Sequence, residues 1–180
     1  LTDCTTEINL EKEDLYHLPD YYAADQAVTD ALAKANKYSH TEITFDYNYE
    51  KDTLDYSTIK DWIKISKDFQ VTIDKLKIAE YVGNMQKQYN TMGVARKFKT
   101  IGGDEITIVE GDYGWKVDYE KEKAKILKNI KSGKVIDREP EWEYRGVVRD
   151  GARDDIGDTY VEVSISQQQV WMIADGKCVG

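Results

Sequence analysis

The sequence predicts an α+β fold in which helices pack on antiparallel strands, followed by a linker and the first β-hairpin of an incomplete β-rich domain. Apolar residues recur with helical spacing in three long segments, and between these segments apolar and polar residues alternate as in half-buried strands. The pair Gly102-Gly103 separates two such strands, as in a hairpin turn. Because helices and strands alternate irregularly, with hairpins between them, the pattern disfavours a parallel β-α-β stack.

The first long helix is predicted to begin after residue 24. Residues 1–24 show little periodicity and include Pro19, which indicates an irregular N-terminal arm. Asp25 is a candidate N-cap, and the apolar spacing that follows predicts a helix ending near Tyr38. The apolar positions of this helix are Val28, Ala31, Leu32 and Ala35.

The stretch TEITFDYNY, residues 41–49, alternates apolar and polar residues and predicts a strand with one buried face. A polar turn follows it. Ser57 can then cap a short helix that turns Ile59, Trp62 and Ile63 towards the core.

The next strand and helix are predicted from residue 68 onwards. DFQVTID, residues 68–74, predicts a strand, and Asp74 at its end can cap a longer helix for which Gly93 is the stop signal. One stripe of this helix is expected to be core, because its apolar residues repeat at offsets of three, four and seven. They are Ile78, Tyr81, Val82, Met85 and Tyr89.

The last elements of the first domain are a hairpin around Gly102-Gly103, a short strand at residues 115–118 and a final helix. Asp118 can cap this helix, which ends at Gly133, and Glu120 and Glu122 in its first turn suit the helix dipole. Its predicted buried stripe is Ile126, Leu127 and Ile130.

Domain boundaries follow from a polar, turn-rich stretch without periodicity, RDGARDDIGD, at residues 149–158. We interpret it as a linker between a domain at 25–148 and a truncated domain start at 159–180. Asp154, Asp155 and Asp158 lack the spacing of a calcium loop, so we expect them to be solvated.

In the C-terminal segment, residues 159–180, apolar and polar residues alternate as in two strands. An Asp-Gly turn then leads from the second strand to a third strand that has only begun. A sheet of this size leaves apolar side chains uncovered and an edge unpaired. We therefore expect these residues to be poorly ordered or to pair with another chain. The uncovered side chains would be Val161, Val163, Ile165, Val170, Trp171 and Ile173.

Charge and composition exclude several classes of function. The net charge is −9 with a pI near 4.8, and no Lys/Arg cluster stands clear of acidic residues, so nucleic acid and anionic membranes are poor partners. No apolar run approaches the roughly 20 residues of a membrane helix. The chain begins at Leu1, which we interpret as a mature or trimmed product.

Two cysteines and two histidines are the candidates for metal binding or nucleophilic chemistry. Cys4 and Cys178 lie near opposite ends and are expected to be unpaired thiols, and His17 and His40 lack the spacing of a metal site. We expect no cofactor, no metal and no catalytic residue.

Residues 27–145 resemble the accessory domain, assigned to peptidoglycan binding, that precedes the catalytic domain of Gram-positive L,D-transpeptidases. The resemblance rests on an ordered set of stretches: TEITFDYNY, LDYSTIKDWI, VTIDKLKIAEYV, KQYNTMGVARKFKT, DYGWKVDYEKE and REPEW. The segment GDTYVEVSISQQQVWMIADGK, with Tyr160, Gln168 and an Asp-Gly turn, looks like the first hairpin of the YkuD-type catalytic domain.

This resemblance implies a secreted cell-wall enzyme whose cysteine attacks a tetrapeptide stem and transfers its acyl group to a neighbouring stem, forming 3-3 cross-links. The nucleophile of such enzymes lies in a Ser-His-Gly-Cys type signature. The chain contains no such signature, and both of its histidines precede the second resemblance. We therefore expect this chain to be non-catalytic, with its parent protein membrane-anchored outside the region.

Peptidoglycan is the partner that the resemblance implies, and the only basic and aromatic surface in the sequence lies around residues 88–99. A basic strand edge that discourages aggregation is the alternative for its cations. Tyr113 and Trp115 could stack on sugar rings, although Trp115 also suits a core position, and Tyr47, Tyr49 and Tyr56 are expected to be more exposed. The candidate ligand-binding residues are Arg96, Lys97, Lys99, Tyr89, Tyr113 and Trp115.

Two hypotheses of different classes follow. The chain is either the accessory region of an L,D-transpeptidase on the outer face of the cell, or a stand-alone binding or spacer module at the cell wall. A hydrolase with paired carboxylates has little support, because among 34 acidic residues such pairs occur by chance.

Overall fold

The computed structural model describes residues 20–109, 111–151 and 155–180. Its helices are α1 (Gln26–Ser39), α2 (Tyr56–Ile59), α3 (Lys75–Tyr89) and α4 (Tyr119–Ser132), with a 3-10 turn at Lys60–Trp62. Its strands are β1 (Glu42–Asp46), β2 (Lys51–Leu54), β3 (Ile63–Ile65), β4 (Val71–Ile73), β5 (Arg96–Lys99), β6 (Glu105–Ile108), β7 (Lys116–Val117), β8 (Val135–Arg138), β9 (Trp142–Tyr144), β10 (Tyr160–Ser164), β11 (Gln169–Ala174) and β12 (Lys177–Cys178). Within the described ranges, no helix combines the length and apolar character needed to cross a membrane.

The strands form small sheets, most of them antiparallel, and the predicted α+β class is confirmed. One sheet has the order β2-β1-β8, and the C-terminal sheet has the order β10-β11-β12. The remaining pairs are β3-β4, β5-β6 and β7-β9. The pairing of β8 with β1 is parallel, with Ile136 opposite Ile43, and the sequence pattern did not predict it.

The core lies between the β2-β1-β8 sheet and the long helices. Ile43 and Phe45 of β1 are fully buried, as is Leu54 of β2. The predicted stripe of α3 is confirmed for Ile78, Val82, Met85 and Tyr89, and that of α4 for Ile126 and Ile130, whereas Tyr81 and Leu127 are partly buried.

Helix termini follow the local capping signals. The carboxylate of Asp74 accepts from the Leu76 N–H at 2.9 Å and that of Asp118 from the Lys121 N–H at 3.0 Å, so both predicted caps are confirmed. The Lys121 ammonium and this N–H lower the pKa of Asp118. Gly133 ends α4 in the left-handed region, at φ 69°, as predicted.

Three local predictions were wrong. Asp55 rather than Ser57 caps α2, because its carboxylate accepts from both the N–H and the hydroxyl of Ser57. Asp25, by contrast, occupies the predicted N-cap position of α1, although its side chain makes no cap hydrogen bond to the helix. The predicted turn after residue 49 contains β2, and α3 ends at Tyr89, four residues before Gly93.

A buried ion pair joins α4 to β8. Glu122, which the sequence placed only at the helix start, is completely buried and accepts from Arg138 at 2.5 and 3.1 Å. The Glu141 N–H donates to the same carboxylate at 2.6 Å, and the Arg138 guanidinium lies 4.8 Å from the centre of the Phe45 ring. These partners satisfy a carboxylate that would otherwise be costly to bury.

The C-terminal sheet contacts the β5-β6 hairpin. Tyr160 packs edge-on against Phe98 with 5.3 Å between ring centres, and Glu162 accepts from the Ile101 N–H at 2.9 Å. Ile173 is buried and Trp171 is half-buried, so the expectation that both lie uncovered was wrong. The other apolar side chains of that expectation are exposed: Val161, Val163, Ile165 and Val170.

Candidate functional site

A backbone junction between the end of α3 and the start of β7 holds several of the predicted site residues. The N–H groups of Thr91 and Met92 donate to the Trp115 carbonyl at 2.9 and 3.2 Å, and the Trp115 N–H donates to the Thr91 hydroxyl at 2.9 Å. Gly114 is required in this junction, because it has φ 131° and a Cβ there would lie 2.7 Å from the Met92 nitrogen.

Arg96 points into this junction instead of into solvent. Its guanidinium contacts Asp155 at 2.5 Å, the Thr91 carbonyl at 2.8 Å and the Tyr113 carbonyl at 3.4 Å. The side chain of Arg96 therefore links β5 to the junction and to Asp155, and its charge is already paired.

Asp155 is the buried partner of Arg96. Its side chain is 0% exposed, so the expectation that it is solvated was wrong. One carboxylate oxygen, Oδ1, contacts Arg96, and Oδ2 has no hydrogen-bond partner within the described part of the chain. Asp154 lies outside the described residues.

Arg149 is enclosed by aromatic rings. It is 5% exposed and donates from Nη2 to the Tyr89 carbonyl at 2.5 Å. Its guanidinium carbon lies within 6 Å of four ring centres, a geometry in which a cation is attracted to the ring faces. These rings, here called the aromatic cage, belong to Tyr47, Tyr49, Trp115 and Trp142.

The tyrosines near the cage are mostly buried. Tyr89 stacks on Tyr47 with 3.5 Å between ring centres and a 12° interplanar angle. Tyr47 is 1% exposed, so its predicted exposure was wrong, and Tyr49 is half-buried, while Tyr56 is exposed as expected. Burial raises the pKa of the Tyr47 and Tyr89 phenols above its ordinary value, which already lies well above neutral pH.

Trp115 and Tyr113 differ in their access to solvent. Trp115 is 5% exposed, and its indole N–H donates to the Val148 carbonyl at 2.8 Å, so its faces are occupied within the protein. Tyr113 is 41% exposed, and its hydroxyl accepts from the Val147 N–H at 2.9 Å. Of these two predicted stacking residues, Tyr113 is the one with an accessible ring.

A groove of about 680 Å³ runs along β5, here called the β5 groove. Its opposite wall is formed by residues 156–158, Tyr160 and Gly176. Lys97 and Lys99 line it and are exposed, whereas Arg96 and Phe98 alternate with them on the more buried face. The predicted basic strand thus borders an open groove.

The two lysines of the groove differ in their partners. Lys97 lies 2.8 Å from Glu105, but both side chains are largely exposed, so this pair contributes little to stability. Within the described residues, no ion pair involves Lys99. The groove therefore offers two ammonium groups, and the rings of Phe98 and Tyr160, for contact with a ligand.

Groups for covalent or metal chemistry are sparse in the described residues. They contain no cluster of three His, Cys, Asp or Glu side chains that could hold a metal ion. Cys178 is exposed, with its sulfur 3.8 Å from the Gly180 carbonyl, and His40 contacts the Asn36 carbonyl at the end of α1. Cys4 and His17 lie outside the described residues.

Sequence reasoning missed the structural roles of Arg149 and Asp155. Both lie in the stretch interpreted as a linker, and their neighbours in the sequence are polar and turn-rich. The one available signal was the apolar pair Val147-Val148 directly before Arg149, which is unusual in a free linker.

Comparisons with known proteins concern the family and the fold of the chain. Residues 25–137 match the model of a family described as "Putative peptidoglycan binding domain". The fold is similar to the Ldtfm-avibactam carbamoyl enzyme, with a TM-score of 0.61 and 28% identity over 84% of this chain and 58% of that one. It is similarly close to the C442S mutant of Enterococcus faecium L,D-transpeptidase, with a TM-score of 0.61 and 29% identity over 83% of this chain and 59% of that one. No curated protein sequence matches. The chain thus spans less than two thirds of the length of these solved structures.

Proposed function

We propose, since this chain belongs to the family described as "Putative peptidoglycan binding domain", that it is the accessory, peptidoglycan-binding region of a secreted L,D-transpeptidase. Residues 25–148 would form the accessory domain and 159–180 the first strands of the catalytic domain, with 149–158 connecting them. The protein would act in cell-wall biogenesis on the outer face of a Gram-positive cell, anchored to the membrane through a part outside this region.

The carrying observation is the extent of the structural likeness. The two solved structures align with 83–84% of this chain, which is more than the family model covers at residues 25–137. The likeness to L,D-transpeptidases therefore includes residues outside the family domain. This supports a multidomain parent protein over a stand-alone module.

Peptidoglycan binding is tested by co-sedimentation of the full 180-residue chain with purified Gram-positive sacculi. We expect weak retention that falls as salt rises, because exposed lysines would carry the attraction. Lys97→Glu combined with Lys99→Glu should remove most of the retained protein. Arg96 is unsuitable for this test, because its loss would leave Asp155 buried without its partner.

The matched control for sacculus binding is Lys67→Glu combined with Lys128→Glu. Both lysines are exposed and lie away from the β5 groove, and the net charge changes equally. Retention should be lost only in the groove variant. Equal losses in both variants would indicate a nonspecific charge effect, and no retention of the wild type would contradict peptidoglycan binding.

The non-catalytic role predicts that carbapenems leave the intact mass of this chain unchanged. A thiol needs a neighbouring base or cation to be reactive at neutral pH, and within the described residues no histidine contacts Cys178. Intact-mass spectrometry after incubation measures this directly. A stoichiometric adduct that disappears in Cys178→Ser would show that the chain reacts by itself.

A spacer role is the second candidate function, and the buried Arg149 and Asp155 favour it. Both residues tie the segment after β9 into the accessory domain, so that this domain could hold the catalytic domain at a set position.

Self-association through the exposed apolar face of β10 and β11 is a further proposal. Analytical ultracentrifugation of the full chain tests it, since concentration-independent monomers would contradict it.

A further inference from the structure

The strand β5 has one edge that is open to a new partner. Among the described strands it pairs with β6 alone, with Phe98 opposite Ile106 and Lys97 opposite Thr107. The Thr100 N–H donates to the Asp104 carbonyl at 2.8 Å and marks a hydrogen-bonded pair at the hairpin end. Since such pairs alternate along an antiparallel ladder, the N–H and C=O groups of Lys97 and Lys99 face away from β6.

In the described part of the chain, these outward-facing backbone groups have no backbone partner. Within residues 20–109, 111–151 and 155–180, no backbone hydrogen bond joins Lys97 or Lys99 to a segment other than β6. The open edge faces the β5 groove, whose opposite wall is the segment before β10. An extended peptide entering the groove would meet donors and acceptors at the two-residue spacing of a strand.

The shape of the β5 groove also suits a short peptide. Its volume of about 680 Å³ lies within the range of ligand sites in proteins. The rings of Phe98 and Tyr160, which meet edge-on, form its floor. They can pack against an apolar side chain of the peptide. The hydrogen bond from Ile101 to Glu162 fixes the two sides of the groove relative to each other.

The charges at the open edge select the chemistry of the ligand. Lys97 and Lys99 both project from the edge strand, and the ammonium of Lys99 has no ion-pair partner within the described residues. A carboxylate on the ligand would supply that partner. Asp158 on the far wall would repel it, so the carboxylate is expected on the β5 side.

We infer that the open edge of β5 binds an extended peptide with a free carboxylate, which here means the stem peptide of peptidoglycan and not its glycan. This inference rests on the proposed peptidoglycan binding and assigns its recognition to strand addition in the β5 groove. Lys97 and Lys99 supply the backbone ladder, Lys99 pairs with the carboxylate, and Phe98 with Tyr160 forms the apolar floor.

The test is an NMR titration of the full chain with a synthetic stem tetrapeptide that carries a free C-terminal carboxylate. The amide signals of Lys97 and Lys99 should shift most, together with those of residues 156–160. Lys99→Glu should weaken the affinity about tenfold, corresponding to about 1.4 kcal/mol. Lys67→Glu, which makes the same change of charge on an exposed turn, should leave the affinity unchanged.

A second ligand separates strand addition from simple charge attraction. The same tetrapeptide with N-methylated backbone amides keeps its carboxylate but loses the donors that a strand needs. We expect it to bind at least about fivefold more weakly. Equal affinity of the two peptides would overturn strand addition.

Two further outcomes distinguish the inference from the proposed function. If sacculi retain the chain but only peptide-free glycan strands shift its signals, for instance at Tyr113, the inference is overturned and peptidoglycan binding stands. If sacculi do not retain the chain at all, the proposed binding fails and the inference fails with it.

Discussion

Arg149→Ala is expected to lower the free energy of unfolding by about 3–5 kcal/mol. The substitution removes a guanidinium that lies among the four rings of the aromatic cage and donates to the Tyr89 carbonyl. It also leaves a cavity beside Trp115 and Trp142. Urea unfolding followed by tryptophan fluorescence measures the loss, and the native emission should shift to the red as water enters the cage.

Arg145→Ala is the matched control for Arg149→Ala. Arg145 lies four residues earlier and pairs with Glu139 at 2.6 Å, but both side chains are substantially exposed. Its loss should cost no more than about 1 kcal/mol. A cost for Arg149→Ala that is as small as this one would show that the aromatic cage contributes little.

Arg149→Met separates packing from charge in the aromatic cage. Methionine keeps most of the volume of the side chain and can pack against aromatic rings. Nε and Nη1 of Arg149 have no hydrogen-bond partner within the described residues, so the charge is incompletely compensated. We therefore expect Arg149→Met to cost less than Arg149→Ala.

Asp155→Ala is expected to destabilise the protein by about 3–5 kcal/mol, because it leaves the guanidinium of Arg96 largely buried without its ion partner. The effect should extend to the C-terminal sheet, since Asp155 lies five residues before β10. The substitution should increase the rate of hydrogen exchange more in residues 159–180 than in α3. Unchanged exchange in these residues would show that the pair does not hold the sheet.

A double variant tests whether the Arg96–Asp155 pair contributes stability or only a defined arrangement. Replacing both residues with apolar ones, Arg96→Met with Asp155→Leu, removes the buried charges together, and such exchanges are often neutral or stabilising. We expect the double variant to be more stable than Asp155→Ala alone. The exposed pair of Lys97 with Glu105 is the control, because its disruption should cost at most about 1 kcal/mol.

Asp155→Ala also bears on the choice between a peptidoglycan-binding role and a spacer role. If Asp155→Ala loosens the C-terminal sheet but sacculus binding persists, the ion pair positions that sheet independently of recognition in the β5 groove. If binding is lost as well, the β5 groove depends on its far wall, which begins one residue after Asp155.

The long helices and the β5-β6 hairpin were predictable from the sequence, because their signals are local. Apolar spacing defined the buried stripes of α3 and α4, Asp74 and Asp118 supplied the caps, and Gly133 ended α4. Each of these features depends on residues within a few positions of one another, so the local sequence is sufficient to predict them.

The predicted site residues lie on and near β5, and only the tertiary structure shows which of them are accessible to a ligand. Lys97, Lys99 and Tyr113 are exposed, whereas Arg96 and Trp115 face inward. Alternation predicts that Arg96 and Lys97 lie on opposite faces, but it does not show which face meets a buried carboxylate 59 residues away.

The sequence by itself determined the fold class and the family, since both depend on local periodicity and on short ordered motifs. Only the tertiary structure decided that β8 lies parallel to β1, that Tyr47 is buried, and that Arg149 and Asp155 belong to the interior. The physical reason is that a charged residue is compatible with burial only when partners from distant parts of the chain surround it. Those partners converge through packing, which no local pattern in the sequence encodes.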